Sequence, residues 1–131
     1  MRIGVDIIGG DYAPQKTVHG AILALKEIPE STKITLFGRE PEILFYLKKH
    51  KIAADKFIII DCTDVIKMGE HPTKAFKQKP NSSISKGFSY LAKGEIDGFA
   101  SAGNTGAMFV GGFYSVKAIT GILRPAISIL I

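Results

Sequence analysis

The sequence of 131 residues predicts an α/β fold of the doubly wound type, in which helices cover both faces of a mostly parallel sheet. Two observations predict it. Short apolar runs of strand length alternate with stretches whose apolar residues recur at helical spacing. Apolar residues also make up 46% of the chain, the usual share for a globular protein that buries a core.

The first half of the chain is predicted to contain three strands and two helices. The strands are Ile3–Ile8, Lys33–Phe37 and Phe57–Ile60. The third strand is apolar throughout, so we expect it to be covered on both faces. The first helix follows Pro14, which a first turn tolerates. Its apolar residues recur at helical spacing, at Val18, Ile22 and Leu25. The second helix begins at Pro41 and is expected to present Leu44 and Leu47 on its buried face.

In the second half, residues 62–81 are expected to mix loop with a short helix. Ser82 or Ser83 can cap a helix that runs to Lys93 and ends at Gly94. A strand, a helix and a fifth strand are then predicted over Phe99–Ala102, Asn104–Ala118 and Pro125–Ile131. Residues 98–116 form an uncharged stretch that holds the fourth strand and most of its helix and is long enough to cross a bilayer. Its glycines and polar side chains would be costly in lipid, so a strand, a loop and a helix are predicted there instead.

Composition and charge exclude several classes of protein. The net charge of +5 is ordinary for a soluble domain, and no basic stripe with interleaved aromatic residues indicates nucleic-acid binding. The single cysteine, Cys62, cannot form an internal disulfide, and no Cys/His cluster has metal-ligand spacing. The N-terminus has the pattern of a strand rather than of a signal peptide. We therefore expect a cytoplasmic protein with no metal site.

Two glycine-rich loops are the candidate binding sites, because ligands of open α/β sheets collect at the carboxyl ends of strands. In the first loop, Gly9 and Gly10 let the backbone approach a ligand and Asp11 can cap or orient, although a plain turn would also explain this pair. The second loop, Ser101–Ala107, joins a strand directly to a helix. Amide groups converge at the positive end of that helix, which favours an anion such as phosphate.

Other sequence signals are absent or open to two interpretations. The chain has no G-x-G-x-x-G after its first strand, no P-loop and no G-x-S-x-G elbow. Residues 67–86 contain five lysines and only one acidic residue, Glu70. The lysines of this basic stretch are Lys67, Lys74, Lys77, Lys79 and Lys86. This basic stretch would favour an acidic substrate or partner, but a run of charges is more often just a solvated surface.

Three motifs together carry a resemblance to a known family. They are Asp6–Asp11 with the Ala-Pro that follows, Ser101–Ala107, and Arg124–Ala126. They resemble the D-A-M-G-G-D-x-A-P, S-A-G-N-T-G-A and R-P-A signatures of the PlsX-type phosphate acyltransferases, and the resemblance covers all 131 residues. This sequence departs from the family pattern at Ile7–Ile8, which stand in place of Ala-Met. It also has Lys77 and Gln78 where arginine is more frequent, and asparagine at 81 where aspartate is frequent.

The resemblance implies an enzyme that passes a fatty acyl group from acyl carrier protein to inorganic phosphate, giving acyl phosphate for phospholipid synthesis. It also implies a fold like that of isocitrate and isopropylmalate dehydrogenases, a homodimer, no cofactor, and peripheral association with the inner face of the cell membrane. Family members are considerably longer than this chain, which ends in an apolar run. We therefore expect residues 1–131 to be the N-terminal part of a single α/β domain.

The same resemblance, combined with the two loops, selects the candidate site residues. The predicted catalytic residues are Asn104, Ser101 and Asp11. The predicted phosphate- or substrate-binding residues are Gly9, Gly10, Gly103, Thr105, Gly106, Lys79, Ser82 and Ser83. Two alternatives stay open from sequence, namely an NAD-dependent oxidoreductase of the isopropylmalate dehydrogenase-like fold and an anion-binding module without enzymatic activity.

Overall fold

The computed structural model describes residues 1–116, 118–122 and 126–128. In this part of the chain the strands are Arg2–Asp6 (β1), Lys33–Gly38 (β2), Ile58–Asp61 (β3) and Gly98–Ala100 (β4). The α-helices are Gln15–Ala24 (α1), Glu40–Lys49 (α2), Pro72–Gln78 (α3), Ser83–Ala92 (α4) and Thr105–Ser115 (α5). A single 3₁₀ turn, Ala54–Lys56, precedes β3.

The four strands form one parallel sheet in the order β3-β2-β1-β4. Strand β1 is central, with Val5 paired to Leu36 of β2 on one side and to Ala100 of β4 on the other. The chain builds outward from β1 to β3 and then returns to add β4 at the opposite side. The direction of winding therefore reverses between β1 and β4, which is the feature that defines a doubly wound sheet.

Helices cover both faces of this sheet, because successive side chains of a strand point to opposite sides. Ile34 and Leu36 of β2 pack with α1 and α2 in the larger apolar cluster. Phe37, the residue after Leu36, points to the other face and packs with Cys62 and Ile96. Helices α3, α4 and α5 enclose a third cluster on that side, around Phe88. The α/β class predicted from the sequence is confirmed.

Two details of the first half differ from the sequence predictions. In α2 the buried residues are Ile43 and Leu47, whereas Leu44 is 39% exposed and lies outside the core. Strand β3 forms an edge of the sheet within the described residues, and Ile58 is 50% exposed. Ile59 packs against the cluster of α1 and α2 and Ile60 against that of Phe37, so both faces of the strand are covered only in part.

The second half largely follows the pattern predicted for it. A short helix, α3, interrupts the loop after β3, and the Ser82 side chain caps α4 by accepting from the N–H of Ser85 at 3.2 Å. Gly94 follows α4 with a φ of +69°, as a helix-ending glycine does. The uncharged stretch is a strand, a loop and a helix, and no helix of the described residues is long and apolar enough to cross a bilayer.

The predicted fifth strand, Pro125–Ile131, falls largely outside the described residues. Residues 126–128, which the structure does describe, are not in a strand. The proline-containing motif at 124–126 likewise lies mostly outside the described part of the chain.

Two glycines in the middle of helices give opposite predictions for stability. An added Cβ at Gly87 of α4 would collide with the ring of Phe99, whereas one at Gly20 of α1 would meet nothing within 4 Å. We expect Gly87→Ala to lower the free energy of unfolding by about 1–3 kcal/mol through overpacking. Gly20→Ala should raise it by about 0.5–1 kcal/mol through better helix propensity. Denaturant titration measures both, and equal shifts for the two variants would contradict this account of the packing.

Candidate functional site

The candidate site lies at the carboxyl ends of β1 and β4, where the winding of the sheet reverses. The loop after β1 contains Gly9 and Gly10, and the loop after β4 contains Ser101 and Gly103. Because β1 and β4 are parallel neighbours, their carboxyl ends bring both loops to the same edge. This reversal point is where open α/β sheets bind their ligands.

A buried carboxylate joins the two loops. Asp6, at the end of β1, is 1% exposed. Its Oδ1 accepts hydrogen bonds from the N–H groups of Ile8 at 2.9 Å and Gly9 at 3.0 Å. Its Oδ2 accepts from the Oγ of Ser101 at 2.6 Å, and that Oγ accepts in turn from the N–H of Gly103 at 2.9 Å. Asp6 was absent from the predicted site residues, although a charge inside an apolar strand was a visible signal.

The glycines allow the two loops to touch. An added Cβ at Gly9 would lie 2.7 Å from the Gly103 nitrogen and 2.9 Å from its Cα, closer than real Cβ atoms approach backbone. Gly10 has a φ of +105°, a backbone conformation that side chains rarely permit. Gly9 and Gly103 were predicted to bind phosphate or substrate, which stays a prediction, and the structure shows that they permit the close approach of the two loop backbones.

Asn104 holds a third segment against the start of α5. It is 5% exposed, and its Oδ1 caps the helix by accepting from the N–H of Ala107 at 2.9 Å. Its Nδ2 faces the carbonyl oxygens of Lys67 at 3.0 Å, Met68 at 3.1 Å and Glu70 at 3.3 Å. The side chain therefore ties the loop before α3 to the helix, and all of its polar atoms are occupied by protein partners.

The first turn of α5 keeps two amide donors available. The N–H of Ala107 is bonded to the Asn104 side chain and that of Met108 to the Asn104 carbonyl. The N–H groups of Thr105 and Gly106 have no partner within the described residues. Thr105 is exposed. Unpaired amides at a helix start carry partial positive charge, so this turn can bind a small anion.

The remaining predicted residues lie in different surroundings. Asp11 is exposed in the loop after β1. The Nζ of Lys79 donates to both carboxylate oxygens of Glu70 at 2.6 Å and to the carbonyl of Val65 at 2.7 Å. This hydrogen bond from Lys79 holds the pKa of Glu70 below its usual value. Ser82 and Ser83 are buried at the start of α4.

The basic stretch divides into bonded and exposed lysines. Lys79 is bound to Glu70, and the Nζ of Lys86 donates to the carbonyl of Asp61 at 2.7 Å. The exposed members are Lys67, Lys74 and Lys77. These three remain accessible to an acidic partner at the surface.

Cys62 is a packed thiol rather than an activated one. It is fully buried, and its Sγ donates to the carbonyl of Ile60 at 3.3 Å. Burial is the main cause that raises the pKa of this thiol to about 12. Since the thiolate is the nucleophilic form, Cys62 is unreactive at neutral pH.

The tether formed by Asn104 predicts a local change when its donor group is removed. Asn104→Asp keeps an oxygen for the helix cap but places a carboxylate against the carbonyls of residues 67–70. We expect trypsin to cleave after Lys67 about tenfold faster, because losing a buried hydrogen bond costs about 1–3 kcal/mol. Limited proteolysis with mass spectrometry measures the rate. Gln78→Glu, the same change of charge on an exposed side chain of α3, serves as the control. Equal cleavage rates for the two variants would refute the tether.

Comparison with known proteins identifies relatives over the full length of the chain. Residues 1–131 match the family model described as "Fatty acid synthesis protein". A protein of Dictyoglomus thermophilum named "Phosphate acyltransferase" is 43% identical over 131 residues, which is 100% of this chain and 38% of that protein. Proteins of the same name from Caldicellulosiruptor bescii and Lysinibacillus sphaericus are 44% and 37% identical over 128 residues.

Each of these two matches covers 98% of this chain, and they cover 38% and 37% of the respective relatives. The chain thus spans less than two fifths of the length of these curated relatives and aligns with them almost from end to end. The family resemblance inferred from the glycine-rich motifs is confirmed. The chain belongs to the fatty acid synthesis protein family.

Proposed function

We propose that a full-length protein containing this chain transfers a fatty acyl group from acyl carrier protein to inorganic phosphate, and that the start of α5 binds the phosphate. The observation that carries the proposal is the pair of available amides at Thr105 and Gly106, at the reversal point of the sheet. Relatives named phosphate acyltransferase align with this chain across both loops.

The chemistry of the reaction suits a site built from backbone donors. Phosphate is already an anion at neutral pH, so its attack on a thioester requires no strong base. The protein has to hold the phosphate near the carbonyl carbon and to stabilise the negative charge that develops on the carbonyl oxygen. Amides at the positive end of an 11-residue helix can hold an anion or stabilise a developing negative charge, and they do not have to reorganise during the reaction.

The side chains predicted to be catalytic take a different part in this proposal. The hydroxyl of Ser101 already donates to Asp6, and the amide group of Asn104 already donates to carbonyls. We infer that these two side chains build the pocket, whereas Thr105 and Gly106 contact the anion. Asp11, which is exposed in the loop after β1, remains the candidate for orienting the substrate.

The proposed partners follow from the surface charge and from the family. Acyl carrier protein is acidic, and the exposed lysines of the basic stretch, Lys67, Lys74 and Lys77, would attract it. Lys67 lies in the loop that Asn104 ties to the start of α5, so carrier docking there would deliver the thioester near the proposed phosphate site. Homodimer formation, a cytoplasmic location and peripheral membrane association belong to the same proposal.

The direct test is phosphate-dependent release of the carrier thiol. A full-length protein supplied with acyl carrier protein and inorganic phosphate should release free thiol and form acyl phosphate, and omitting phosphate should abolish both. Binding of phosphate without any transfer would instead favour an anion-binding module. An absorbance change that depends on NAD would favour the oxidoreductase alternative.

The role of the backbone donor can be tested with two substitutions at one position. Thr105→Pro removes one N–H but suits the first turn of a helix, and the ψ of 107° at Asn104 is compatible with a following proline. We expect kcat/KM for phosphate to fall about 100-fold, as when one oxyanion donor is lost. Thr105→Ala keeps the amide and should lose much less. Steady-state kinetics with varied phosphate measures both, and equal losses would assign the effect to the side chain.

A further inference from the structure

Asp6 carries a charge that the fold has to accommodate at a cost. It is the only Asp, Glu, Lys or Arg that is buried among the described residues, and no ion pair of that part of the chain includes it. Its carboxylate is compensated by three hydrogen bonds, from two backbone amides and one hydroxyl. Burying a charge is unfavourable even when it is hydrogen-bonded, so a carboxylate at this place calls for a role that an uncharged residue could not fill.

A carboxylate can only accept hydrogen bonds, and this fixes the direction of a short relay. The hydroxyl of Ser101 must donate to Asp6, so its oxygen is left to accept from the N–H of Gly103. An asparagine at position 6 would have an NH₂ group in place of one carboxylate oxygen, and the orientation that keeps both backbone hydrogen bonds turns this group toward the Ser101 hydroxyl. The Ser101 hydroxyl would then lose its acceptor, and the link between the two loops would be broken or reversed.

We propose that Asp6 is a positioning residue for phosphate in the acyl transfer reaction, acting through Ser101 on the loop that leads into α5. This inference rests on the proposed function. Asp6 does not touch the substrate in this scheme. It fixes the loops after β1 and β4 relative to each other, so that the amides of Thr105 and Gly106 are aimed at one place. Displacement of such donors by about 1 Å is enough to cost about 100-fold in rate.

The structure supplies a matched control for a purely stabilising role. Asp97 precedes β4 and accepts hydrogen bonds at 2.7 Å from both the backbone N–H and the Nη2 of Arg2, the first residue of β1. It therefore joins the same two strands through a carboxylate, but at their amino ends, away from the candidate site. Losing Asp97 weakens the β1–β4 connection without disturbing the two glycine loops.

The experiment compares Asp6→Asn, Ser101→Ala and Asp97→Asn in a full-length protein, using the melting temperature and the kinetics of phosphate-dependent thiol release. Partial unfolding lowers the concentration of active enzyme, so a structural effect reduces kcat and leaves KM for phosphate unchanged. A positioning effect raises KM for phosphate as well. We expect Asp6→Asn and Ser101→Ala to raise that KM about tenfold, and Asp97→Asn to change it less than about twofold.

A double variant provides the second measurement. Because Asp6 and Ser101 act in one relay, Asp6→Asn combined with Ser101→Ala should raise KM little more than either change alone. If Asp6→Asn does not fold, Ser101→Ala against Asp97→Asn decides the question, since Ser101→Ala removes one link of the relay only. An unchanged KM in Ser101→Ala and any folded Asp6→Asn, with wild-type transfer intact, overturns the positioning role alone. Absence of transfer in the wild-type protein overturns the proposed function as well.

Discussion

The hydrogen bonds accepted by Asp6 are the interaction on which the rest of the site depends. Strands β1 and β4 are neighbours in the sheet but far apart in the chain, and their loops leave the sheet without further β pairing. The Asp6 carboxylate connects the two loops, because its Oδ1 accepts a hydrogen bond from Gly9 in one loop and its Oδ2 accepts one from Ser101 in the other. Without that connection, no hydrogen bond through Asp6 would hold Gly9 close to Gly103. The orientation of α5 relative to β1 would then depend on apolar packing alone.

Glycines allow the loops of the site to come into contact, and polar side chains hold them together by hydrogen bonds. Gly9 and Gly103 permit contact between two backbones, and Gly106 lies so close to Pro72 that an added Cβ would approach its ring to 2.5 Å. Asn104 ties the loop before α3 to the same helix start. Three loops thus converge with their side chains pointed at one another. The density of glycines and short polar residues in these motifs is a requirement of this convergence, whatever the ligand.

The sequence predicted the first four strands, the helices between them and the meeting of the two loops, because periodicity and parallel topology are enough to place them. It was less informative where several residues satisfy the same pattern. Ile43 and Leu44 both suit a helix face with Leu47, and only packing against β2 selects Ile43. An apolar run such as Ile58–Ile60 does not distinguish a central strand from an edge strand. The partners of Ser101 and Asn104 are up to 95 residues away, so their roles could not be derived from local spacing.

Electrostatics explain how a buried carboxylate can stand near a proposed anion site. The charge of Asp6 is directed at the amides of Ile8 and Gly9 and at the hydroxyl of Ser101, all of which present their positive ends to it. The amides of Thr105 and Gly106 are not used in this way, and the dipole of α5 adds to their partial charge. In the proposed site, neighbouring donors would therefore serve two different anions, one built into the fold and one supplied by the solvent. An apolar residue at position 6 would leave the N–H groups of Ile8 and Gly9 and the hydroxyl of Ser101 without this acceptor, and unsatisfied buried donors are costly.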